Sequence, residues 1–162
     1  MIRKPTLYLL CGLPGSGKTT LAKRLEQENS ALRFTPDEWM VPLYGDGICE
    51  PNTLDQWNLA HDRVEKVQWQ LAEKALLLGV NVVLDFGVWA REERDDFRAR
   101  TAALGARSEL LYLEESLDVL KERVKARNEN AGKGTYLISE AELEEWSTQF
   151  ESPTPDELKP RE

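Results

Sequence analysis

Residues 12–20 read GLPGSGKTT and combine three glycines with a lysine and two threonine hydroxyls. The spacing Gly-x-x-x-x-Gly-Lys-Thr is that of a phosphate-binding loop between a strand and a helix. Glycines let backbone N–H groups approach a polyphosphate where a Cβ would collide, and the helix dipole attracts its charge. Lys18 would contact the β- and γ-phosphates, and Thr19 would offer its hydroxyl to Mg²⁺. The alternative, a turn that only connects two elements, requires neither residue. The predicted nucleotide-binding residues are Gly12, Leu13, Pro14, Gly15, Ser16, Gly17, Lys18, Thr19 and Thr20.

Two carboxylates follow predicted strands, at the sheet edge where parallel α/β proteins bind ligands. Asp37 lies just past the second strand and could accept the proton of an attacking hydroxyl group. Equally, it could cap a short helix that begins at PDEWM. Asp85 ends the third strand, where a carboxylate could order Mg²⁺, directly or through water, or orient the acceptor. Its alternative role is the N-cap of the next helix.

Arg123 and Arg127 lie four residues apart on one helix face, directly before the glycine-bounded segment NENAGKG. Two guanidinium groups beside such a loop suit a lid, about residues 123–138, that closes over a transferring phosphoryl group and neutralises its charge. Lys133 is a weaker candidate for the same role. The alternative is that these arginines form solvated ion pairs with neighbouring glutamates.

Several other side chains have structural roles as their first expectation. His61 is the only histidine, and its mid-helix position favours a surface or hydrogen-bonded role over catalysis. Trp57, on the same helix, is expected in the core rather than as a stacking platform for an acceptor. The charged run REERDDFRAR, residues 91–100, predicts a solvated helix face, with contact of Arg91 or Arg94 to a phosphate as the alternative.

Apolar strand-like segments alternate with segments of helical periodicity along the chain. The predicted strands are Thr6–Cys11, Ala31–Thr35, Val80–Phe86 and Ser108–Glu114, with a loop at Met40–Asn52 and helices at about Lys18–Glu28, Thr53–Gly79, Ala90–Leu104, Ser116–Asn130 and Glu140–Phe150. Connections too long for hairpins predict a parallel sheet with helices on both faces, that is, an α/β fold. Capping boxes are expected at Thr53 with Gln56 and at Ser139 with Glu142.

Length and composition limit the function classes. A chain of 162 residues fits one domain, and it contains no apolar run of the roughly 20 residues that span a membrane. The net charge of −8 disfavours binding of polyanions such as nucleic acid without excluding it. The N-terminus MIRKP lacks the features of a signal peptide, and two cysteines form no disulfide framework. A reducing cytoplasm is therefore the expected location.

Four segments, GLPGSGKTTLAKRL, FTPDEW, VVLDFGVWAREER and LKERVKARN, together resemble the small P-loop kinases that phosphorylate hydroxyl groups. The chain resembles the kinase domain of phage-type polynucleotide 5′-hydroxyl kinases and a broad group of bacterial predicted kinases. It is more distantly similar to zeta toxins and chloramphenicol phosphotransferases. The similarity spans roughly residues 6–150. It implies one three-layer α/β/α domain over residues 1–162, with four or five parallel strands and a helical lid.

The resemblance also implies roles for particular residues. Asp37 would be the general base, Asp85 would help place acceptor or Mg²⁺, and Arg123 and Arg127 would belong to the lid. The segment STQFESPTPDEL is similar to one that borders the adenine ring in these kinases. Phe150 and Pro153 are therefore expected in the adenine pocket, with the tail, residues 151–162, bordering it.

One departure from the family bears on the acceptor. Polynucleotide kinases carry an arginine three residues after the base, where this chain has Met40.

Taken together, these features predict an ATP- and Mg²⁺-dependent phosphotransferase acting on a small hydroxyl-bearing molecule, as a monomer or homodimer without a membrane partner. The alternatives are a polynucleotide 5′-hydroxyl kinase and a non-catalytic nucleotide-binding switch.

Overall fold

The computed structural model of the chain describes residues 4–49 and 54–162. Its sheet has four strands, all parallel to their neighbours, in the order β2-β3-β1-β4. The strands are β1 (Thr6–Cys11), β2 (Ala31–Phe34), β3 (Asn81–Gly87) and β4 (Arg107–Tyr112). The parallel α/β fold predicted from the sequence is confirmed.

Six α-helices and one short 3₁₀ helix complete the described part of the chain. The α-helices are α1 (Lys18–Glu28), α2 (Asp37–Tyr44), α3 (Leu54–Leu77), α4 (Arg91–Ala103), α5 (Leu117–Glu129) and α6 (Glu140–Gln149), and the 3₁₀ helix is Asp46–Cys49. No helix among the described residues is both long enough and apolar enough to span a bilayer.

Helices cover both faces of the sheet, and β1 is therefore buried along its whole length. Side chains of a strand point alternately to the two faces. Leu9 accordingly joins one cluster with Trp69 of α3 and Phe97 of α4, whereas Leu10 joins another with Ala22 of α1. The result is a three-layer α/β/α arrangement, which leaves the carboxyl ends of the strands open at one edge of the sheet.

The loop predicted for Met40–Asn52 is wrong in part, because α2 continues past Pro42 and the 3₁₀ helix follows it. Packing explains the difference. Met40 is 1% exposed and lies in a cluster with Ala60 and Val64 of α3. This apolar contact anchors α2 on α3 and favours the helix despite the proline.

The capping box predicted at α6 is confirmed in both directions. Ser139 N donates to Glu142 Oε2 at 2.8 Å, and Glu142 N donates to Ser139 Oγ at 3.1 Å. The other predicted box remains a prediction because Thr53 lies outside the described residues.

The solvated face predicted for residues 91–100 is wrong for two arginines. Arg94 and Arg98 are 0% and 2% exposed. Arg94 Nε pairs with Glu157 Oε1 at 2.8 Å, and Arg98 donates to the backbone carbonyls of Glu157 and Lys159. The chain's last segment therefore folds back over α4. No fifth strand is present among the described residues, and at the free edge of β4 the tail adds a single antiparallel bridge between Ser108 and Arg161.

Candidate active site

The loop between β1 and α1 has the geometry of an anion cradle. Gly17 adopts the left-handed conformation, with φ of 94°, immediately before α1. A Cβ on Gly12 would lie 2.7 Å from Ser16 Oγ and 3.0 Å from the Leu113 carbonyl oxygen. Ser16 Oγ is buried and has no hydrogen-bond partner among residues 4–49 and 54–162. The first N–H groups of a helix also lack intrahelical partners, so the loop fits a phosphate chain.

Lys18 lies beside this cradle. Its Nζ donates to the Leu13 carbonyl oxygen at 3.0 Å. Removal from bulk water lowers the pKa of Lys18, and the carboxylates of Asp85 and Asp37 oppose that effect. A lysine placed between two carboxylates and a phosphate cradle can neutralise a nucleotide's terminal phosphates as a point charge.

Asp85 and two threonines form a cluster of oxygen atoms at the ends of β2 and β3. Asp85 Oδ2 accepts hydrogen bonds from Thr19 Oγ1 at 2.7 Å and from Thr35 Oγ1 at 3.0 Å. Carboxylate and hydroxyl oxygens are hard ligands that suit Mg²⁺. The alternative that Asp85 caps α4 is wrong, because Ala90 is the N-cap residue.

Thr35 is a member of this cluster that the sequence analysis missed. It directly follows β2, and its hydroxyl also accepts a hydrogen bond from Arg33 at 2.6 Å. The signal that could have found it is its place, since residues after parallel strands collect at one edge of the sheet.

Asp37 is the first residue of α2, and its side chain is 59% exposed in the cleft. The helix predicted at PDEWM exists, but Pro36 is its N-cap, and the Asp37 carboxylate contacts His61 instead, Oδ1 to Nε2, at 3.2 Å. Partial burial alone would raise the pKa of Asp37. The hydrogen bond and charge of His61, and more weakly the charges of Arg127 and Lys18, lower it below its ordinary value. Asp37 is thus held as a carboxylate.

The hydrogen-bonded role expected for His61 agrees with this contact. Its second ring nitrogen, Nδ1, lies 3.6 Å from Glu65 Oε1. Burial by itself would lower the pKa of His61, but its bond to Asp37 and the charge of Glu65 raise it. Burial raises the pKa of Glu65 to about 7.

The two arginines predicted for the lid lie on the exposed side of α5, near the phosphate loop. Arg123 donates from NH1 to the Gly15 carbonyl oxygen at 3.1 Å and pairs through NH2 with Glu115 at 3.1 Å. Arg127 is exposed and lines the same cleft. Arg123 therefore combines an ion pair with a direct bond to the loop.

These groups surround one cleft of about 970 Å³. The connection between α5 and α6, residues 130–139, closes its outer side against α2. A Cβ on Gly134 would lie 2.2 Å from Val41 Cγ2 and 3.3 Å from Asp46. Lys133 and Trp57 also line the cleft.

Phe150 and Pro153 are not among the residues that line this cleft, although Phe150 N donates to the carbonyl oxygen of Trp146, which does line it. Phe150 stacks on Tyr112 of β4, with ring centroids 5.8 Å apart, and Tyr112 Oη lies 3.4 Å from Ser152 Oγ. Their predicted contact with adenine remains a prediction.

Comparisons with known proteins agree with this fold. A family model described as an AAA domain matches residues 7–153. The bifunctional enzyme NodQ of Rhizobium tropici is 37% identical over 95 residues, which cover 57% of this chain and 14% of that protein. A chain in the structure of the Pnkp1/Rnl/Hen1 RNA repair complex gives a TM-score of 0.73 at 23% identity, over 92% of this chain and 45% of that one.

A gluconokinase from Sinorhizobium meliloti 1021 gives a TM-score of 0.63 at 18% identity, over 96% of this chain and 81% of that one. At such identities a structural likeness shows the fold alone. This chain also spans less than half the length of NodQ and of the matched chain in the RNA repair complex. The family model, in contrast, covers most of this chain. The chain therefore belongs to the AAA domain family and has the fold of the small P-loop kinases.

Proposed function

We propose that this protein transfers the γ-phosphoryl group of ATP to a hydroxyl group of a small molecule. The observation that carries the proposal is the position of Asp37. It is an ionised, partly exposed carboxylate in the cleft that contains the phosphate loop and Lys18. A nucleotide-binding protein without chemistry has no need of a carboxylate in this place. Kinases require one to accept or orient the acceptor hydroxyl group.

The remaining residues have complementary roles in this proposal. The backbone of residues 12–20 and the Lys18 ammonium hold the triphosphate. Thr19 and Asp85 would hold Mg²⁺, which would neutralise part of the negative charge of the nucleotide's phosphates. Arg123 and Arg127 approach from α5 and offset negative charge on the transferring group.

The reaction is a single displacement at phosphorus. The acceptor oxygen forms a bond to the γ-phosphorus, the bond from that phosphorus to the bridging oxygen breaks, and ADP leaves. The hydroxyl proton passes to the Asp37 carboxylate. The α5–α6 connection, residues 130–139, excludes water so that ATP is not hydrolysed instead.

Three observations support a small acceptor. The protein has a net charge of −8. Met40, at the position where polynucleotide kinases have an arginine, is buried against α3 and offers no positive charge. The α5–α6 connection also contacts α2 and narrows the cleft. The gluconokinase with the same fold is consistent with this class of acceptor.

A polynucleotide 5′-hydroxyl kinase is the second candidate, and the fold match to the RNA repair complex favours it. The two candidates share Asp37, Lys18 and the phosphate loop, and they differ only in the acceptor. We propose a cytoplasmic location for either activity.

An acceptor screen with a paired variant tests the proposal. Sugars, sugar acids, nucleosides, aminoglycosides and 5′-hydroxyl oligonucleotides are incubated with ATP and Mg²⁺, and ADP formation is measured.

Asp37→Asn should lower phosphoryl transfer by about 100-fold or more, with ATP affinity nearly unchanged. Asp55→Asn, an exposed carboxylate on α3, is the matched control. Equal activity of Asp37→Asn and wild type would exclude Asp37 as the base. ADP formation that no acceptor increases would favour a nucleotide-binding switch.

A further inference from the structure

We propose that His61 is a positioning residue that orients the Asp37 carboxylate toward the acceptor hydroxyl group. This inference rests on the proposed function, in which Asp37 accepts the hydroxyl proton. Its geometric basis is a row of three groups. The His61 imidazole lies between two carboxylates, with Nε2 3.2 Å from Asp37 Oδ1 and Nδ1 3.6 Å from Glu65 Oε1.

Two other residues of α3, Trp57 and Glu65, contact this imidazole. Trp57, His61 and Glu65 are spaced four residues apart and therefore share one face of the helix. Trp57 stacks on the His61 ring, with centroids 4.6 Å apart and an interplanar angle of 22°. Trp57 in turn contacts Tyr136 of the α5–α6 connection, with ring centroids 5.1 Å apart. His61 itself is only 19% exposed, so its orientation is fixed by packing as well as by charge.

Asp37 needs such an anchor. It lies at the first position of α2, and its side chain is 59% exposed, so the packing around it does not select one rotamer. The contact with His61 engages Oδ1 and leaves Oδ2 for the acceptor hydroxyl group. Holding a side chain in one conformation before the reaction avoids its entropic cost in the transition state.

Charge acts in the same direction as geometry. The charged groups around His61 are Asp37 on α2 and Asp62 and Glu65 on α3, and Glu93 of α4 acts in turn on Glu65. These carboxylates outweigh the effect of burial and raise the pKa of His61. A cationic imidazole donates its Nε2–H group to Asp37 Oδ1, lies within ion-pair distance of Glu65, and stabilises Asp37 in its ionised form.

A low pKa at Asp37 is compatible with this role. Phosphoryl transfer passes through a loose transition state in most analyses, so the acceptor proton is not removed early in the reaction. Orientation of the acceptor oxygen then contributes more than the basicity of the carboxylate. His61 improves the orientation of the Asp37 carboxylate and lowers its basicity.

The first test uses the fact that the chain has one histidine. After removal of any affinity tag, a proton NMR titration reports the pKa of His61 without an assignment step. We expect a pKa above the ordinary value of 6.5 in the wild type, and lower values in both Asp37→Asn and Glu65→Gln. A pKa at or below 6.5 that neither variant changes would overturn the proposed contact. This readout does not depend on any catalytic activity.

The second test compares kinetics of His61→Ala, His61→Gln and the exposed-site control Arg63→Ala with the best acceptor from the screen. We expect kcat of His61→Ala to fall about 10- to 100-fold with an unchanged KM for ATP. His61→Gln, whose amide nitrogen can replace Nε2, should recover part of the loss. Because the imidazolium lowers the pKa of Asp37, the acidic limb of the pH–kcat profile should move to higher pH in His61→Ala.

The outcomes separate this inference from the proposed function. Transfer that requires Asp37 but is unchanged in His61→Ala, with the same pH profile, would overturn the positioning role and leave the kinase proposal intact. Loss of transfer in His61→Ala without a shift of the acidic limb, and with no recovery in His61→Gln, would assign His61 a purely structural role. Thermal melting of each variant identifies any loss that comes from unfolding.

Discussion

Arg94 and Glu157, which are 63 residues apart in the chain, form an ion pair in which both side chains are buried. The guanidinium group also donates to the carbonyl oxygens of Val88, at 3.1 Å, and Trp89, at 2.9 Å. Val88 and Trp89 directly follow β3, the strand that carries Asp85. The pair therefore connects the tail of the chain to the turn beside the candidate active site.

Replacing Glu157 by glutamine should strongly destabilise the fold. The Arg94 charge would remain buried without a counter-charge, and breaking a buried pair in this way costs about 3–5 kcal/mol. For a domain of this size we expect the melting temperature to fall by about 6 °C or more. Asp156→Asn, an exposed neighbour that pairs with Arg91, is the control and should change it little. Equal melting temperatures of Glu157→Gln and wild type would mean that the pair contributes nothing.

The same pair predicts a pH dependence of stability. Burial alone would raise the pKa of Glu157, but its bonds to Arg94 and to the Thr154 backbone lower it below the ordinary value of 4.5. A lowered carboxylate pKa adds stability that is present above 4.5 and is lost as the pH falls through the folded-state pKa. Urea unfolding should show the gap between wild type and Glu157→Gln narrowing as the pH falls below this value. A gap that stays constant into strong acid would contradict the assignment.

Asp85 and Thr19 should control the effect of Mg²⁺ on nucleotide binding. In the wild type, calorimetry is expected to show tighter ATP binding with Mg²⁺ than without it. Asp85→Asn and Thr19→Val each remove an oxygen ligand or the bond that orients it, a change that typically costs 10- to 100-fold in metal affinity. Thr19→Ser keeps the hydroxyl group and should behave like the wild type. An Mg²⁺ effect that persists in Asp85→Asn would place the metal elsewhere.

A side chain at residue 134 should keep the cleft from closing. In the present arrangement a Cβ there would lie 2.2 Å from Val41 Cγ2, and the residue has φ of +81°, which L-amino acids rarely adopt. Gly134→Val is therefore expected to raise the KM for the acceptor and to increase ATP hydrolysis by water, and the strained φ should also lower the melting temperature. At Gly132 a Cβ would meet no atom of the described residues within 4 Å, so Gly132→Ala is the matched control. Unchanged kinetics in Gly134→Val would show that this contact is not needed.

Local sequence patterns were sufficient for the phosphate loop and the sheet. The motif at residues 12–20 lies between a buried strand and a helix that begins at Lys18, as its spacing predicts. The burial of Arg94 could not be predicted, because its partner is brought to it by the fold of the tail. His61 and Asp37 are likewise distant in the chain, and only the packing of α2 on α3 brings them together. Charged residues at helical spacing predict a solvated face, and only the position of the segment that packs against the helix shows which of them are buried.

Gln68 of α3 leads to a prediction in which a substitution stabilises the protein. Its side chain is 0% exposed, and neither Nε2 nor Oε1 has a hydrogen-bond partner in the described part of the chain. A buried amide without partners costs about 1–3 kcal/mol, whereas methionine has a similar shape and no polar requirement. Gln68→Met should therefore raise the melting temperature by several degrees, and Gln70→Met, at an exposed position on the same helix, should not. A lower melting temperature for Gln68→Met would mean that the amide is satisfied, for example by a buried water molecule, and that this water stabilises α3.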